Sequence, residues 1–317
     1  MRVLAALTFL LATAGMVLAA PVPVRQARDC VRRGDARGLL DLVRQRYGSL
    51  ESIAVSGEGV TRASVMGQKM VTTTKYVARA TREGRYLVRW AAPVTTLDGA
   101  SPGAGFARPA GAVWNDGTGA FNYVDAPAAW AKAASDDAAL GLATGLSGGA
   151  TELVFLLRVT PSLGSLAALE SPVIEDSESI DGSPCWVVSG STPVTSRMVV
   201  WISRTQLLVR RLSRSMTPPP GREPPPLMQG SIDDAIREAG LEPTPEMRQR
   251  FAMMMEMAKV MRKHAGALDG EMMGTFHVDA VDRPLGPADL AFEVPAGTPF
   301  KRSLLEDALD QMPGRPQ

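Results

Sequence analysis

Aromatic residues are scarce, at 5% of 317 positions. That is too few for extensive platforms on which bases or sugars stack. Charge of either sign is not in excess, since the formal net charge is +1 and no basic tract stands out. A nucleic-acid binder carries a clustered basic face, so that class is disfavoured. Histidine is limited to His264 and His277, and cysteine to Cys30 and Cys185. No H-x-x-x-H spacing and no phosphate loop with its lysine occurs. Beyond residue 20 no apolar run reaches the roughly 20 residues that span a bilayer.

What is present starts with "MRVLAALTFLLATAGMVLAA". Arg2 supplies a positive start, Val3 to Leu18 is an apolar run, and Val17-Leu18-Ala19 precedes Pro21. The pattern is that of a secretory signal peptide over 1–20, cleaved after Ala19 or Ala20, with a single membrane anchor as the alternative. It predicts a periplasmic or secreted protein. Disulfides persist there, and two cysteines allow one pairing, Cys30 with Cys185. The alternative is two thiols too far apart to bridge.

Apolar periodicity then orders the chain. Residues 25–47 read as helix, the stronger part starting near Asp35 with Leu39, Leu40, Leu42 and Val43 on one face. The period changes to two in "SIAVSGEGVTRASV" and in "KMVTTTKYVARATREGRYLVRWA", with Arg82-Glu83-Gly84 as a turn. "AVWNDGTGAFNYVD" is a hairpin about Asn115-Asp116-Gly117. "PAAWAKAASDDAALGLATGL" and "ATELVFLLRV" read as helices, and four strands follow to about residue 216. Pro218 to Pro226 make a stiff linker into a helical stretch capped by Ser231 and Thr244. "GTFHVDAVDR" and "LAFEVPAG" return to strand, and "RSLLEDALDQM" reads as a short final helix. Residues 21–317 form one expected domain, with a Pro-bracketed, Met-rich insertion at about 217–270.

Four stretches carry a family likeness: "LLDLVRQRYGSLESIAVSGEGV", "WNDGTGAFNYVDAPAAW", "DGSPCWVVSGS" with "VVWISRTQLLVRRL", and "DLAFEVPAG". In that order they resemble the periplasmic lipoprotein-carrier superfamily, the LolA/LolB-like and outer-membrane lipoprotein-sorting proteins. The resemblance implies an α+β fold: a curved antiparallel sheet forming an incomplete β-barrel, with helices as a lid over an apolar cavity. It implies a non-enzymatic binding protein for an acyl chain, a lipoprotein or another amphiphile, with outer-membrane lipoprotein sorting as one use. The alternative is an envelope regulatory or assembly module that binds a membrane-protein partner.

Site residues follow from patterning. Met247, Phe251, Met254, Ala258 and Met261 form one apolar stripe, widened by Met253 and Met257. Three uses are open: core packing, a soft wall around a greasy ligand, or a copper(I) site near His264 and His277. Stripe spacing already accounts for the methionines, so no metal or other cofactor is expected. Trp114, Tyr123, Trp186 and Trp201 lie on predicted strands, as sheet core or as cavity wall. The expected ligand contacts are therefore Met247, Phe251, Met254, Met257, Met261, Trp114, Tyr123 and Trp201. "GLSGG" around Ser147 matches G-x-S-x-G but follows a predicted helix, whereas a nucleophile elbow follows a strand.

Overall fold

A computed structural model describes residues 24–65, 68–101, 109–147, 166–193, 195–215, 217–221, 230–238, 241–265 and 270–304. The expected signal segment, the "ATELVFLLRV" helix, most of the proline linker and the final helix lie outside these residues.

Two helices open the chain, α1 (Val24–Arg32) and α2 (Ala36–Ser49). The first strands are β1 (Ser52–Val65), β2 (Gln68–Thr81), β3 (Tyr86–Trp90), β4 (Val94–Leu97), β5 (Gly111–Asn115), β6 (Ala120–Asp125) and β7 (Ala128–Lys132). Helix α3 (Asp136–Ser147) and a 3-10 turn (Leu166–Ala168) precede β8 (Glu170–Ile174), β9 (Glu178–Ile180), β10 (Ser183–Ser191), β11 (Met198–Ser203) and β12 (Val209–Ser215). Then come α4 (Ile232–Glu238), α5 (Pro245–Ala265), β13 (Gly270–Val281), α6 (Pro287–Leu290) and β14 (Phe300–Lys301).

The strands make one sheet in the order β14-β7-β6-β5-β3-β2-β1-β13-β12-β11-β10-β8, with β4 beside β2 and β9 beside β10. All pairings are antiparallel except β14 on β7. The sheet is large, curved and unclosed, and the fold is mixed α+β, as expected. Among the described residues no helix is long and apolar enough to cross a membrane.

Local chemistry explains the boundaries. Asp35 accepts the Gly38 N–H at 2.8 Å and so caps α2. Ser231 and Asp234 bond reciprocally at the start of α4, and Thr244 accepts from Met247 N at the start of α5. Gly84 (φ 86°) and Gly182 (φ 75°) supply the left-handed backbone that two hairpin turns need.

Two expected elements differ. Ala128–Lys132 is strand rather than helix, because it pairs with β6 along five residues. Helix begins only at Asp136. "LAFEVPAG" is not a strand: after the short α6, the chain from Ala291 runs unpaired until Phe300.

One face of the sheet carries the helices. Leu39, Leu40, Val43 and Tyr47 of α2 pack with Ile53, Val55, Val88, Val113, Val188, Val200 and Ile202. Leu140 and Ala143 of α3 join them. Burying a Leu or Val side chain stabilises by about 2 kcal/mol, so this layer organises the fold.

Tyr47 lies fully inside it, and its hydroxyl accepts the Val209 N–H at 3.1 Å. Burial pushes its pKa up to about 12, despite the Val209 bond and the nearby Arg210 and Arg46. An unfolded tyrosine ionises near pH 10. The folded protein therefore keeps its full stability below about pH 10 and loses it as pH rises toward 12, because the unfolded chain releases its proton first. Tyr47→Phe should flatten this alkaline loss in urea melts taken from pH 9 to 12. At pH 7 it should cost about 1–3 kcal/mol, through the orphaned Val209 N–H. An alkaline limb identical to that of the parent chain would refute the assignment.

Candidate functional site: a groove on the sheet face turned from the helices

Side chains alternate along a strand, so residues between the core positions point away from the helices. On β11 the core takes Met198, Val200 and Ile202, which leaves Val199 and Trp201 for the other face. On β10, Trp186 and Val188 face the helices, and Val187 does not. In register, Val187 lies beside Trp201, Val199 beside Ser213, Ser213 beside Met273, and Ser215 beside Glu271.

This far face holds a groove of about 1270 Å³. Val187, Val199 and Trp201 form its apolar floor at one end, with Ile174 at the sheet edge. Arg62, Lys69, Met70 and Val71, from the tip of the β1–β2 hairpin, form the other end. The segment Glu175–Glu178, between β8 and β9, makes the wall beyond Trp201.

The groove's carboxylates are mostly engaged. Glu175 takes two bonds from Arg197, at 3.0 and 3.3 Å. Glu178 accepts from Trp201 Nε1 at 2.6 Å and faces Arg211 Nη1 at 3.5 Å. The Arg211 guanidinium lies 5.5 Å from the Trp201 ring centroid. Trp201 is thus held by its nitrogen and stacked on one face, a fixed wall for the floor. Glu271 accepts from the Ser213 hydroxyl.

Of the expected contacts with described side chains, Trp201 lines this groove. Trp114 and Tyr123 also lie on the far face, but over the other half of the sheet, where they are covered. Phe292, from the unpaired segment after α6, sits 5.1 Å from Trp114 and 5.0 Å from Tyr123 between ring centroids. Phe121 stacks on Trp114 at 5.3 Å, and Arg89 caps Phe292. These rings form a filled cluster with Leu87 and Ala112.

The methionine stripe is elsewhere. Met247 and Phe251 are buried against Ile236 and Leu241, with Met254 partly buried beside them. Helices α4 and α5 thus share a core of their own, fastened by the two-pronged Arg248–Asp233 pair at 2.7 and 2.8 Å. The side chains of Met257 and Met261 lie outside the described residues. The groove lies on the face turned from α1 and α2, and a second hollow of about 810 Å³ lies beside α3, lined by Asn122, Ala131, Ala138 and Leu142.

Cys30 and Cys185 are free, the second of the two outcomes the sequence left open. Cys30 joins the helix-side core, whereas Cys185, at the start of β10, donates to Ser183 O at 3.4 Å. Each thiol is buried by its own neighbours, and burial pushes both pKa values up. Ser147 is the last residue of α3 and is buried, so the G-x-S-x-G match lacks the strand-to-helix elbow. His277 lies on β13 and faces Asp181 at 3.5 Å. Among the described residues no group of three His, Cys, Asp or Glu side chains is placed to hold a metal.

The groove-forming residues sequence reading missed are Val187, Val199, Arg62 and Lys69. Alternation alone marks Val199 and Trp201 as one face, but which face lies open depends on where the helices dock.

No family model and no curated protein matches the chain. Solved structures do. LprF from Mycobacterium bovis is 10% identical with a TM-score of 0.39, over 80% of this chain and 95% of that one. Lipoprotein LppX from Mycobacterium tuberculosis is 13% identical with a TM-score of 0.33, over 79% and 98%. A LolA superfamily protein from Nitrosomonas europaea is 10% identical with a TM-score of 0.27, over 81% and 97%. All three TM-scores are below 0.5, so the groove stands on this chain's own residues.

Proposed function

We propose that this chain is an exported, non-enzymatic binding protein that holds the tail of an amphiphile in the groove behind its sheet. The observation that carries this reading is a cavity of about 1270 Å³ floored by Val187, Val199 and Trp201. Small-ligand sites combine apolar and placed polar groups, and here the apolar floor is rimmed by charged residues and serines. Eight to ten buried methylenes supply about 6–8 kcal/mol. That is near micromolar affinity before the costs of association are subtracted. A free lipid or the acyl chain of a lipoprotein offers such a tail. Delivery of lipoproteins to an outer membrane is the finer form of this reading, and the chain's first 20 residues favour work outside the cytosol.

The test is titration of the purified full chain with a fluorescent fatty acid. Val199→Asp puts a carboxylate on the floor and should weaken binding at least tenfold, with the far-ultraviolet spectrum unchanged. Trp201→Ala should weaken it about threefold to tenfold by removing the fixed wall. Met254→Asp, in the separate α4–α5 core, should leave affinity within about twofold while lowering the melting temperature. Undiminished binding by Val199→Asp would reject the groove. Loss of binding confined to Met254→Asp would instead make the Met-rich helix the ligand cover. Lipid extraction and mass spectrometry identify the native tail. A lipid-free protein that captures a membrane-protein ectodomain would favour the regulatory alternative.

A further inference from the structure

We infer that the groove takes its amphiphile in one direction, with an anionic head at Arg62 and Lys69 and the alkyl chain lying toward Trp201. This rests on the groove reading above and names its ligand class: a single long chain ending in a carboxylate or phosphate.

Ion pairing is uneven along the groove. At the β8–β9 wall every glutamate already has a partner: Glu175 has Arg197, and Glu178 has Trp201 and Arg211. At the opposite end, Arg62 and Lys69 are exposed and make no ion pair with a described carboxylate. They sit on neighbouring strands in diagonal register, because Arg62 opposes Val71 and Ser64 opposes Lys69. Diagonal neighbours on one face are within mutual reach of long side chains. Glu271 lies across from Arg62 on β13, but it accepts from the Ser213 hydroxyl. Asp98 beside Lys69 accepts that residue's backbone N–H at 2.9 Å. The hairpin tip thus places two cations near Glu271 and Asp98 but in an ion pair with neither, and one anionic group can bridge them.

Spacing supplies the rest. From β1 the sheet passes through β13 and β12 to β11. Three strand steps are about 14 Å along the sheet. An extended alkyl chain covers that distance and a compact head group does not. At the far end Glu175 and Glu178 are already paired, and Asp176, which makes no ion pair with a described cation, disfavours an anion there. The two ends therefore agree on one orientation.

Calorimetric titration of the purified full chain with dodecyl phosphate, dodecyl maltoside and dodecyltrimethylammonium, each below its micelle concentration, tests this. The phosphate should bind about tenfold tighter than the maltoside, and the ammonium weakest. Arg62→Gln/Lys69→Gln should erase the preference for phosphate while leaving maltoside affinity within about twofold. Both positions are exposed on a hairpin tip, so folding should survive, and a melt confirms it. A terminally brominated fatty acid should quench Trp201 more than one brominated beside the carboxylate, read as the difference between the parent chain and Trp201→Phe. Equal affinity for all three heads, or an unchanged preference in the double variant, overturns the head-group inference and leaves the groove reading standing. Stronger quenching by the head-side bromine overturns the orientation. Failure of all three dodecyl ligands to bind sinks both.

Discussion

Gly57→Val should leave little folded protein. Gly57 sits on β1 between Tyr76 of β2 and Phe276 of β13. A Cβ at this position would meet the Thr275 backbone carbonyl and the Tyr76 hydroxyl, the latter at 2.6 Å. The glycine is what lets the Tyr76 ring lie across β1 and donate to Thr275 O at 3.1 Å. It also lets that ring meet Phe276 edge-on, with centroids 6.1 Å apart. Tyr76 and Phe276 are buried in the helix-side core. A valine must displace the tyrosine or push neighbouring strands of the central hairpin apart. Displacing the ring forfeits much of a buried aromatic, about 3–5 kcal/mol on truncation. Separating the strands breaks a ladder that runs eleven residues between β1 and β13. Either way the cost is about 4 kcal/mol or more, comparable to the whole stability of a small domain. The check is soluble yield and the urea midpoint. Gly48→Ala is the control: it is an exposed helical glycine with nothing within 4 Å of an added Cβ, and it should gain about 0.5–1 kcal/mol. A parent-like midpoint for Gly57→Val would show that the ring does not lie where described.

Asp282→Ala should cost about 3 kcal/mol, through a guanidinium left without its counter-charge. Asp282 follows β13 directly, in a left-handed conformation, φ 54°. One carboxylate oxygen accepts the Glu51 N–H at 2.9 Å, and the other faces Arg46 Nη2 at 3.4 Å. Arg46 is only 9% exposed, in the last turn of α2. Its remaining side-chain bond is to the Ser49 hydroxyl. The aspartate therefore ties the end of α2, the link into β1 and the end of β13 to one point. Breaking one partner of a nearly buried pair is expensive because the other stays charged in a poor solvent. Alanine also tolerates positive φ less well than aspartate does. Asp282→Asn keeps that backbone tolerance and one acceptor but not the charge, and should lose somewhat less than the alanine variant. Arg46→Met/Asp282→Ala should recover about 1–2 kcal/mol relative to Asp282→Ala alone. Strict additivity in the double-mutant cycle would show that the two side chains do not interact.

The legible parts of this protein are those whose cause lies within a few residues. Asp35, Ser231, Asp234 and Thr244 cap helices as their spacing predicts, because a cap bonds three residues along the chain. The turns at Gly84 and Asp181-Gly182 are readable because only a few residue types accept positive φ. Period-two patterning placed Tyr86, Val88 and Trp90 on one face of β3, and they share the helix-side core. Where a distant segment decides, reading failed. Ala128–Lys132 has helical composition, but pairing with β6 overrides propensity. Trp114 and Tyr123 read as cavity wall or core, and Phe292, far along the chain, makes them core. Met247 and Phe251 form a true apolar stripe, yet α4 rather than a ligand covers it.

By itself the sequence determined the class of the chain: an α+β protein with an antiparallel sheet, a capped helical excursion and an export-like start. Those follow from periodicity, caps and turns, which are short-range physics. Only the tertiary structure decided which sheet face is filled. Alternation gives each strand two faces but does not say which of them the helices will cover. Docking of α1, α2 and α3 covered one face, and the segment around Phe292 covered part of the other. Val187, Val199 and Trp201 remained as a floor, with Arg62 and Lys69 at its far end.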